Sequence, residues 1–125
     1  MAAPGGIKAK IMETLAQIPQ NVPTAKMVLL IRNDGLLVAA YPQVERLEGV
    51  GAQLTAIYES IERMTKQFNL GKLRYTVIVG ENATIVILKG EKLSLAVVGD
   101  RGLNLGFVLT NAEGILDRAH EILSA

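Results

Sequence analysis

Residues 26–41 read KMVLLIRNDGLLVAAY, two apolar runs on either side of Asn33-Asp34-Gly35. Asp-Gly between apolar runs is a strong hairpin signal, because both residues tolerate positive φ. The run Met27–Ile31 is apolar at every position, which indicates a strand covered on both faces. Pro42 then ends the second strand, as expected at the edge of a sheet. The segment therefore predicts a β-hairpin, Lys26–Tyr41, whose first strand is buried.

The next segment, about Glu48–Asn69, has the periodicity of one long helix. Its large apolar residues form a stripe that we expect to pack on the sheet: Val50, Leu54, Ile57, Ile61, Met64 and Phe68. Small residues recur at helical spacing off that stripe: Gly49, Ala52, Ala56 and Ser60. They are either ordinary helix residues, since alanine favours helices, or a face that admits another helix closely, such as that of a second copy.

The remaining segments complete an α+β pattern. Three strands joined by tight turns follow the long helix, at Leu73–Gly80, Ala83–Lys89 and Lys92–Gly99. Amphipathic helices are predicted at Ile7–Ile18, ended by Pro19, and from Leu105 onward. The pattern predicts a five-stranded antiparallel sheet with the long helix on one face and the two terminal helices on the other. Residues 1–6 are expected to be disordered and residues 7–125 to form a single domain.

The first strand of the three-stranded meander differs from the others. Arg74, Thr76 and Ile78 alternate with more apolar residues, which predicts one wetter face. An open edge there is an aggregation hazard unless something pairs with it.

Composition excludes several classes of function. The 125 residues carry a net charge of +1 and contain no cysteine. The charge gives no support for nucleic-acid binding, and the lack of cysteine excludes disulfides, thiolate catalysis and zinc ribbons. The apolar runs are too short to span a membrane. We therefore expect a cytoplasmic protein that does not bind nucleic acid and has no membrane-spanning segment.

Catalytic motifs are lacking as well. The glycines of Gly49-Val50-Gly51 lack the Lys-Ser/Thr ending of a phosphate-binding loop, and no serine lies in a Gly-x-Ser-x-Gly elbow. His120 is the single histidine, and no second histidine or cysteine accompanies it to make a metal site, so a structural role is expected. The sequence predicts no catalytic residues, no metal, no cofactor and no enzymatic activity.

Charged residues cluster around the long helix. Carboxylates alternate with basic residues there, and Glu59–Arg63 and Glu62–Lys66 have the favourable i,i+4 order of helix ion pairs. Glu45 and Glu48 precede them. The face is most simply solvated, and it is equally suited to recognition of a partner.

Three stretches resemble the roadblock family of small dimeric proteins. They are the hairpin Leu29–Leu36 with Asp34-Gly35, the long helix ending in residues 69–73 (NLGKL), and the meander Thr76–Val98. The resemblance covers about Lys26–Leu123. Longin and profilin-like domains share a similar arrangement. The resemblance implies the sheet and helix layers predicted above, and it implies a homodimer.

In the family, the third strands pair across a two-fold axis and the long helices lie side by side. Carried onto this chain, the resemblance puts two groups of residues at the dimer interface. The strand seam comprises Arg74, Tyr75, Thr76, Val77 and Ile78, and the helix seam comprises Gly49, Ala52 and Ala56.

Family members act on Ras-like small GTPases as activators, scaffolds or adaptors. The paired long helices usually supply the platform for the GTPase. The resemblance therefore implies partner-binding residues on the long helix: Gln53, Ala56, Glu59, Ser60 and Arg63. It transfers no catalytic side chain, so Arg63 is not assigned the role of an inserted arginine.

Three hypotheses of function follow. The first is a non-enzymatic homodimeric regulator or scaffold that binds a Ras-like small GTPase through the long helices, in a prokaryotic polarity or signalling system. The second is a structural adaptor that assembles a larger complex regardless of nucleotide state. The third is a small-molecule sensor that uses a cleft between sheet and helices, which the few buried polar candidates in the sequence disfavour.

Overall fold

The computed structural model describes residues 6–43, 47 and 49–124. Within them the elements follow in the order α1 Ile7–Asn21, β1 Ala25–Arg32, β2 Leu37–Tyr41, α2 Val50–Gln67, β3 Tyr75–Val79, β4 Ala83–Lys89, β5 Leu93–Asp100 and α3 Leu105–Ser124. The predicted order of elements is confirmed. The prediction of a disordered N-terminus concerns residues that, apart from Gly6, lie outside the described chain, and Glu45 and Glu48 lie outside it too.

The five strands form one antiparallel sheet in the order β2-β1-β5-β4-β3. The β1–β2 turn closes where the N–H of Gly35 donates to the carbonyl oxygen of Arg32 at 2.8 Å. Gly35 has a φ of 101°, which explains the need for glycine there. β2 lies at one edge, as Pro42 predicts, and β1 lies between β2 and β5.

Each face of the sheet has its own core, which confirms the predicted layers. α1 and α3 pack together on one face, over side chains that include Val28 and Leu30 of β1. α2 covers the other face, over Leu29 and Ile31 of the same strand. Alternate residues of one strand thus enter opposite cores, because successive side chains point to opposite faces. This is why the central run of β1, Met27–Ile31, is apolar at every position.

The end of α1 corrects one prediction. The sequence predicts that the helix ends at Ile18, whereas it continues to Asn21 with Pro19 in its last turn. The N–H of Val22 donates to the carbonyl oxygen of Ile18 at 2.7 Å, a bond that does not need the N–H that proline lacks. Ile18 and Val22 are both buried in the core beneath α1, so packing favours the extra turn.

β3 forms the second edge of the sheet. It pairs with β4 along one side, and no other described strand pairs with it. The sequence predicts one wetter face, yet both faces are accessible: Tyr75 and Val77 on one face are 39% and 36% exposed, and Ile78 on the other is 39% exposed. The reason is that neither helical layer covers this strand. An apolar strand, YTVIV, therefore ends the sheet with its backbone groups free on one side.

Candidate functional site

The inner face of α2 is narrower than its sequence indicates. The residues of α2 that are buried are Gly51, Leu54 and Tyr58. The helix begins directly on the β1–β2 turn, where a Cβ added to Gly51 would lie 2.1 Å from the carbonyl oxygen of Gly35. Only glycine allows this approach, and it sets the position of α2 on the sheet.

The predicted apolar stripe is only partly correct. Leu54 is buried and Val50 and Ile61 are half-buried. The other three side chains, which we call the apolar flank, are 39%, 49% and 68% exposed, respectively: Ile57, Met64 and Phe68. The six positions span a wide arc of the helix, and the sheet covers only the side of that arc nearest Tyr58. A large apolar surface is left open beside the sheet.

The opposite side of α2 carries the small and charged residues. We call it the outer face, and all its members are exposed: Gly49, Ala52, Gln53, Ala56, Glu59, Ser60 and Arg63. By helical geometry the apolar flank lies between this outer face and the buried face. The structure thus groups all five predicted partner-binding residues on one surface. It also puts the predicted helix seam on that same surface rather than on the apolar flank.

The predicted strand seam lies at the free edge of the sheet. Ile78 pairs with Ile85 of β4 and so lies on the face that α2 covers, whereas Tyr75 and Val77 point to the face of α1 and α3. Arg74, just before β3, forms an exposed ion pair with Glu113 of α3 at 3.9 Å. Tyr75, Val77 and Ile78 are thus accessible along one edge, whereas Thr76 between them is half-buried.

A polar cavity lies under α2, at the end of the sheet where β1, β4 and β5 meet. Its volume is about 130 Å³. Asn33 forms one side: its Nδ2 donates to the carbonyl oxygens of Gly90 and Glu91 at 3.0 and 2.9 Å, and its Oδ1 accepts a bond from Ser94 at 2.8 Å. Sequence analysis disfavoured a cleft between sheet and helices and assigned Asn33, Tyr58 and Ser94 no role in one. Tyr58, in phase with Leu54 on the inner face, is the one signal that pointed to it.

An ion pair closes the cavity and corrects a predicted one. Glu62 pairs with Lys89 of β4, and within the described chain neither Glu62–Lys66 nor Glu59–Arg63 forms an ion pair. Because Glu62 lies on the inner side of α2, Lys89 on the sheet is within its reach and replaces the helix neighbour Lys66 as its partner. The ammonium group of Lys89 also lies 5.8 Å from the centre of the Tyr58 ring.

The hydroxyl of Tyr58 is buried and has no hydrogen-bond partner among the described residues. Burial raises the pKa of this hydroxyl above 10.0; Ser94 lies near enough to oppose the shift, and the charge of Glu62 adds to it. Ser94 itself donates to Asn33, so the two hydroxyls are neighbours without a bond of ordinary geometry. The phenol therefore stays protonated well into alkaline solution.

The raised pKa of Tyr58 predicts a loss of stability at high pH. Below about pH 10 the phenol is protonated in both states; above it the unfolded chain loses the proton while the folded chain keeps it. We expect the wild type to lose up to about 1.4 kcal/mol per pH unit more than Tyr58→Phe between about pH 10 and pH 11. Urea unfolding of both proteins across this range measures the difference. Equal slopes would contradict the burial of the hydroxyl.

Among residues 6–43, 47 and 49–124, no group of three or more His, Cys, Asp or Glu side chains is arranged to hold a metal ion. No helix in the same residues is long and apolar enough to cross a membrane. His120 is half-buried in α3, with Nδ1 3.0 Å from the carbonyl oxygen of Leu116.

Known proteins are similar to this chain in sequence or in fold. The profile of the Roadblock/LC7 domain family matches residues 12–99. The protein MJ0310 of Methanocaldococcus jannaschii is 30% identical over 92 residues, 72% of this chain and 80% of the relative. Myxococcus xanthus MglB superposes with a TM-score of 0.79 at 17% identity, covering 92% of this chain and 95% of that one. A Roadblock/LC7 domain from Streptomyces avermitilis gives 0.81 at 16% identity, with coverages of 91% and 98%.

Proposed function

Because the chain belongs to the Roadblock/LC7 domain family, we propose that it is a homodimeric, non-enzymatic regulator or scaffold of a Ras-like small GTPase. Members of this family act on such GTPases as activators, scaffolds or adaptors. The observation that carries the proposal is the division of α2 into a buried face, an apolar flank and an outer face. A helix that packed only on its own sheet would need just the buried face.

The free edge of β3 supports the homodimer. Its unpaired N–H and C=O groups are a template for another strand, and natural proteins protect such edges when they are apolar. A second copy of β3 supplies an antiparallel strand of identical length if a two-fold axis passes near Val77, the middle of the strand. The two sheets then form one continuous sheet.

The apolar flank supports the same arrangement. Ile57, Met64 and Phe68 lie beside the face of the sheet that ends in Ile78, so an interface that joins the β3 strands also gives this flank a partner. Dimer interfaces of this permanent kind are more apolar than the remaining surface. We therefore assign the helix seam to the apolar flank, together with the β3 residues Arg74 to Ile78. The small residues Gly49, Ala52 and Ala56 lie outside this seam.

The outer face is then the surface for the GTPase. Small side chains along it allow a partner backbone to approach, and the carboxylate of Glu59 and the guanidinium of Arg63 offer charged contacts at its centre. Neither is held in an ion pair within the described chain. A dimer presents two such faces, which suits a platform for one GTPase or two.

Binding assays with small GTPases test the proposal. We expect the protein to bind at least one small GTPase from its own genome and to distinguish the GDP form from the form with a GTP analogue. Single-turnover GTP hydrolysis with and without the protein separates an activator from a scaffold. Binding that ignores the nucleotide and leaves hydrolysis unchanged would favour the structural adaptor, and failure to bind in either state would contradict both.

Ala56→Arg separates the two surfaces of α2. Ala56 lies on the outer face, so a long charged side chain there is expected to weaken GTPase binding at least about tenfold, or about 1.4 kcal/mol, without changing the dimer. Gln20→Arg adds the same charge on α1, at the other face of the sheet, and serves as the control. Light scattering and titration with the GTPase measure both effects. If the Ala56→Arg variant were monomeric, the small residues Gly49, Ala52 and Ala56 would instead belong to the dimer seam.

A further inference from the structure

The polar cavity under α2 has a shape and a lining that suit a small ligand. Its floor is apolar, formed by Ile31, Leu54 and Ile87, and its rim includes the exposed side chains of Arg32 and Glu59. The volume of about 130 Å³ leaves room for several water molecules or for a ligand of a few heavy atoms, such as one of the size of alanine.

The hydroxyl of Tyr58 requires a partner that the described residues do not supply. Tyr58 is 5% exposed, lines the cavity and carries the unpaired hydroxyl. Asn33 spends both N–H groups on carbonyl oxygens and accepts a bond from Ser94, and the Ser94 oxygen, although still able to accept, does not meet the Tyr58 hydroxyl at hydrogen-bond geometry. Buried polar groups are rarely left unpaired, because a hydrogen bond to water that is lost on burial is costly unless another partner replaces it. The Tyr58 hydroxyl is therefore available to an acceptor inside the cavity.

The charges around the cavity narrow the chemistry of that acceptor. Lys89 uses one N–H on Glu62 and has others to donate beside Tyr58. Arg32 at the rim already pairs with Asp34, whereas Glu59 has no ion-pair partner in the described chain. A simple anion would be repelled by the carboxylates of Glu59 and Glu62. A simple cation would leave the hydrogen-bond donors of Tyr58 and Lys89 without an acceptor. A ligand that carries one negative and one positive charge satisfies both the donors and the carboxylates.

We propose that the cavity binds a small zwitterionic amino acid. The carboxylate accepts hydrogen bonds from the hydroxyl of Tyr58 and the ammonium of Lys89, the amino group faces Glu59, and the short side chain lies on the apolar floor. This site goes beyond the proposed regulation of a GTPase and forms within a single chain, and it shares Glu59 with the outer face. It gives the cleft between sheet and helix a defined ligand chemistry.

Titration of the isotope-labelled protein with L-alanine, followed by amide NMR spectra, tests the site without any GTPase. At up to about 10 mM, ten times a Kd of about 1 mM, we expect saturable shifts centred on Asn33, Tyr58 and Ser94. Acetate and methylammonium, which carry one charge each, are expected to bind at least about tenfold more weakly. No saturable shifts with L-alanine, shifts centred elsewhere, or equal binding of acetate would overturn the proposal.

Two variants test the assigned contacts. Tyr58→Phe removes only the hydroxyl and is expected to weaken L-alanine binding about tenfold, whereas the control Tyr41→Phe, on the opposite face of the sheet, leaves it unchanged. Glu59→Gln, an exposed position that folding does not require, is expected to weaken L-alanine but not acetate. Unchanged affinity of Tyr58→Phe, or an equal loss for both probes in Glu59→Gln, would refute the binding mode.

Discussion

Replacing Ile57 and Met64 together with glutamate is expected to turn a dimer into a monomer and to leave the fold of each chain intact. The two side chains are 39% and 49% exposed in the single chain and belong to neither core, so the change leaves both cores in place. In the proposed dimer the same two positions are buried against a second copy. An unpaired buried carboxylate costs several kcal/mol, so two of them weaken dimerisation by at least about 100-fold.

Light scattering after size exclusion measures the result. The wild type should have about twice the chain mass of 13.4 kDa, and the double variant that of one chain. Gln67→Glu adds a carboxylate to an exposed position on the same helix, outside the apolar flank, and should stay dimeric. The assignment of the apolar flank to the dimer interface would be wrong if the wild type were monomeric at micromolar concentration or if the double variant stayed dimeric. Circular dichroism confirms that each variant is folded.

Gly51→Ala is expected to be more destabilising than the replacement of any other described glycine by alanine, because its added Cβ makes the closest contact. Its Cβ would lie 2.1 Å from the carbonyl oxygen of Gly35, and neither atom can rotate away, because the backbone fixes the position of a Cβ and the oxygen belongs to the backbone itself. The start of α2 must therefore lift off the β1–β2 turn and open the core around Leu54 and Tyr58. Overpacking typically costs about 1–3 kcal/mol, and a clash between backbones lies at the top of that range. We expect a loss of about 3 kcal/mol and a fall in Tm of roughly 10 °C.

Gly114→Ala is the matched control for that variant. Gly114 lies inside α3, and an added Cβ meets nothing within 4 Å. The same substitution should therefore stabilise the protein by up to about 1 kcal/mol, because alanine favours the helix over glycine. Thermal unfolding at one fixed protein concentration compares the two. If both variants shifted Tm in the same direction, the result would contradict the close contact between α2 and the β1–β2 turn.

The hairpin shows why much of the fold was accessible from the sequence. Asp34-Gly35 specifies a turn by local backbone preference, and a run such as Met27–Ile31 specifies double burial by its lack of polar side chains. Neither signal depends on a distant part of the chain. The same holds for β4, whose observed ends coincide with the predicted Ala83–Lys89. Pro19 misled because the local preference of proline was outweighed by the burial of Ile18 and Val22.

The candidate site was less accessible, because it depends on which part of an apolar arc finds cover. The spacing of Val50 to Phe68 identifies a helix with a broad apolar surface, but not the direction in which that surface meets the sheet. The contact of Gly51 with Gly35 sets that direction, turns Tyr58 inward and leaves Ile57 and Met64 outside. Periodicity along one helix carries no information about such a contact between elements.

The sequence by itself determined the elements, their order and the two apolar layers, because turn preferences and side-chain periodicity act over a few residues. Only the tertiary structure decided the three faces of α2, the free edge of β3 and the cavity at Tyr58. These features arise where residues far apart in the chain meet: Gly35 with Gly51, Lys89 with Glu62, and Asn33 with Ser94. Their positions follow from the packing of whole elements on one another, which local preference cannot specify.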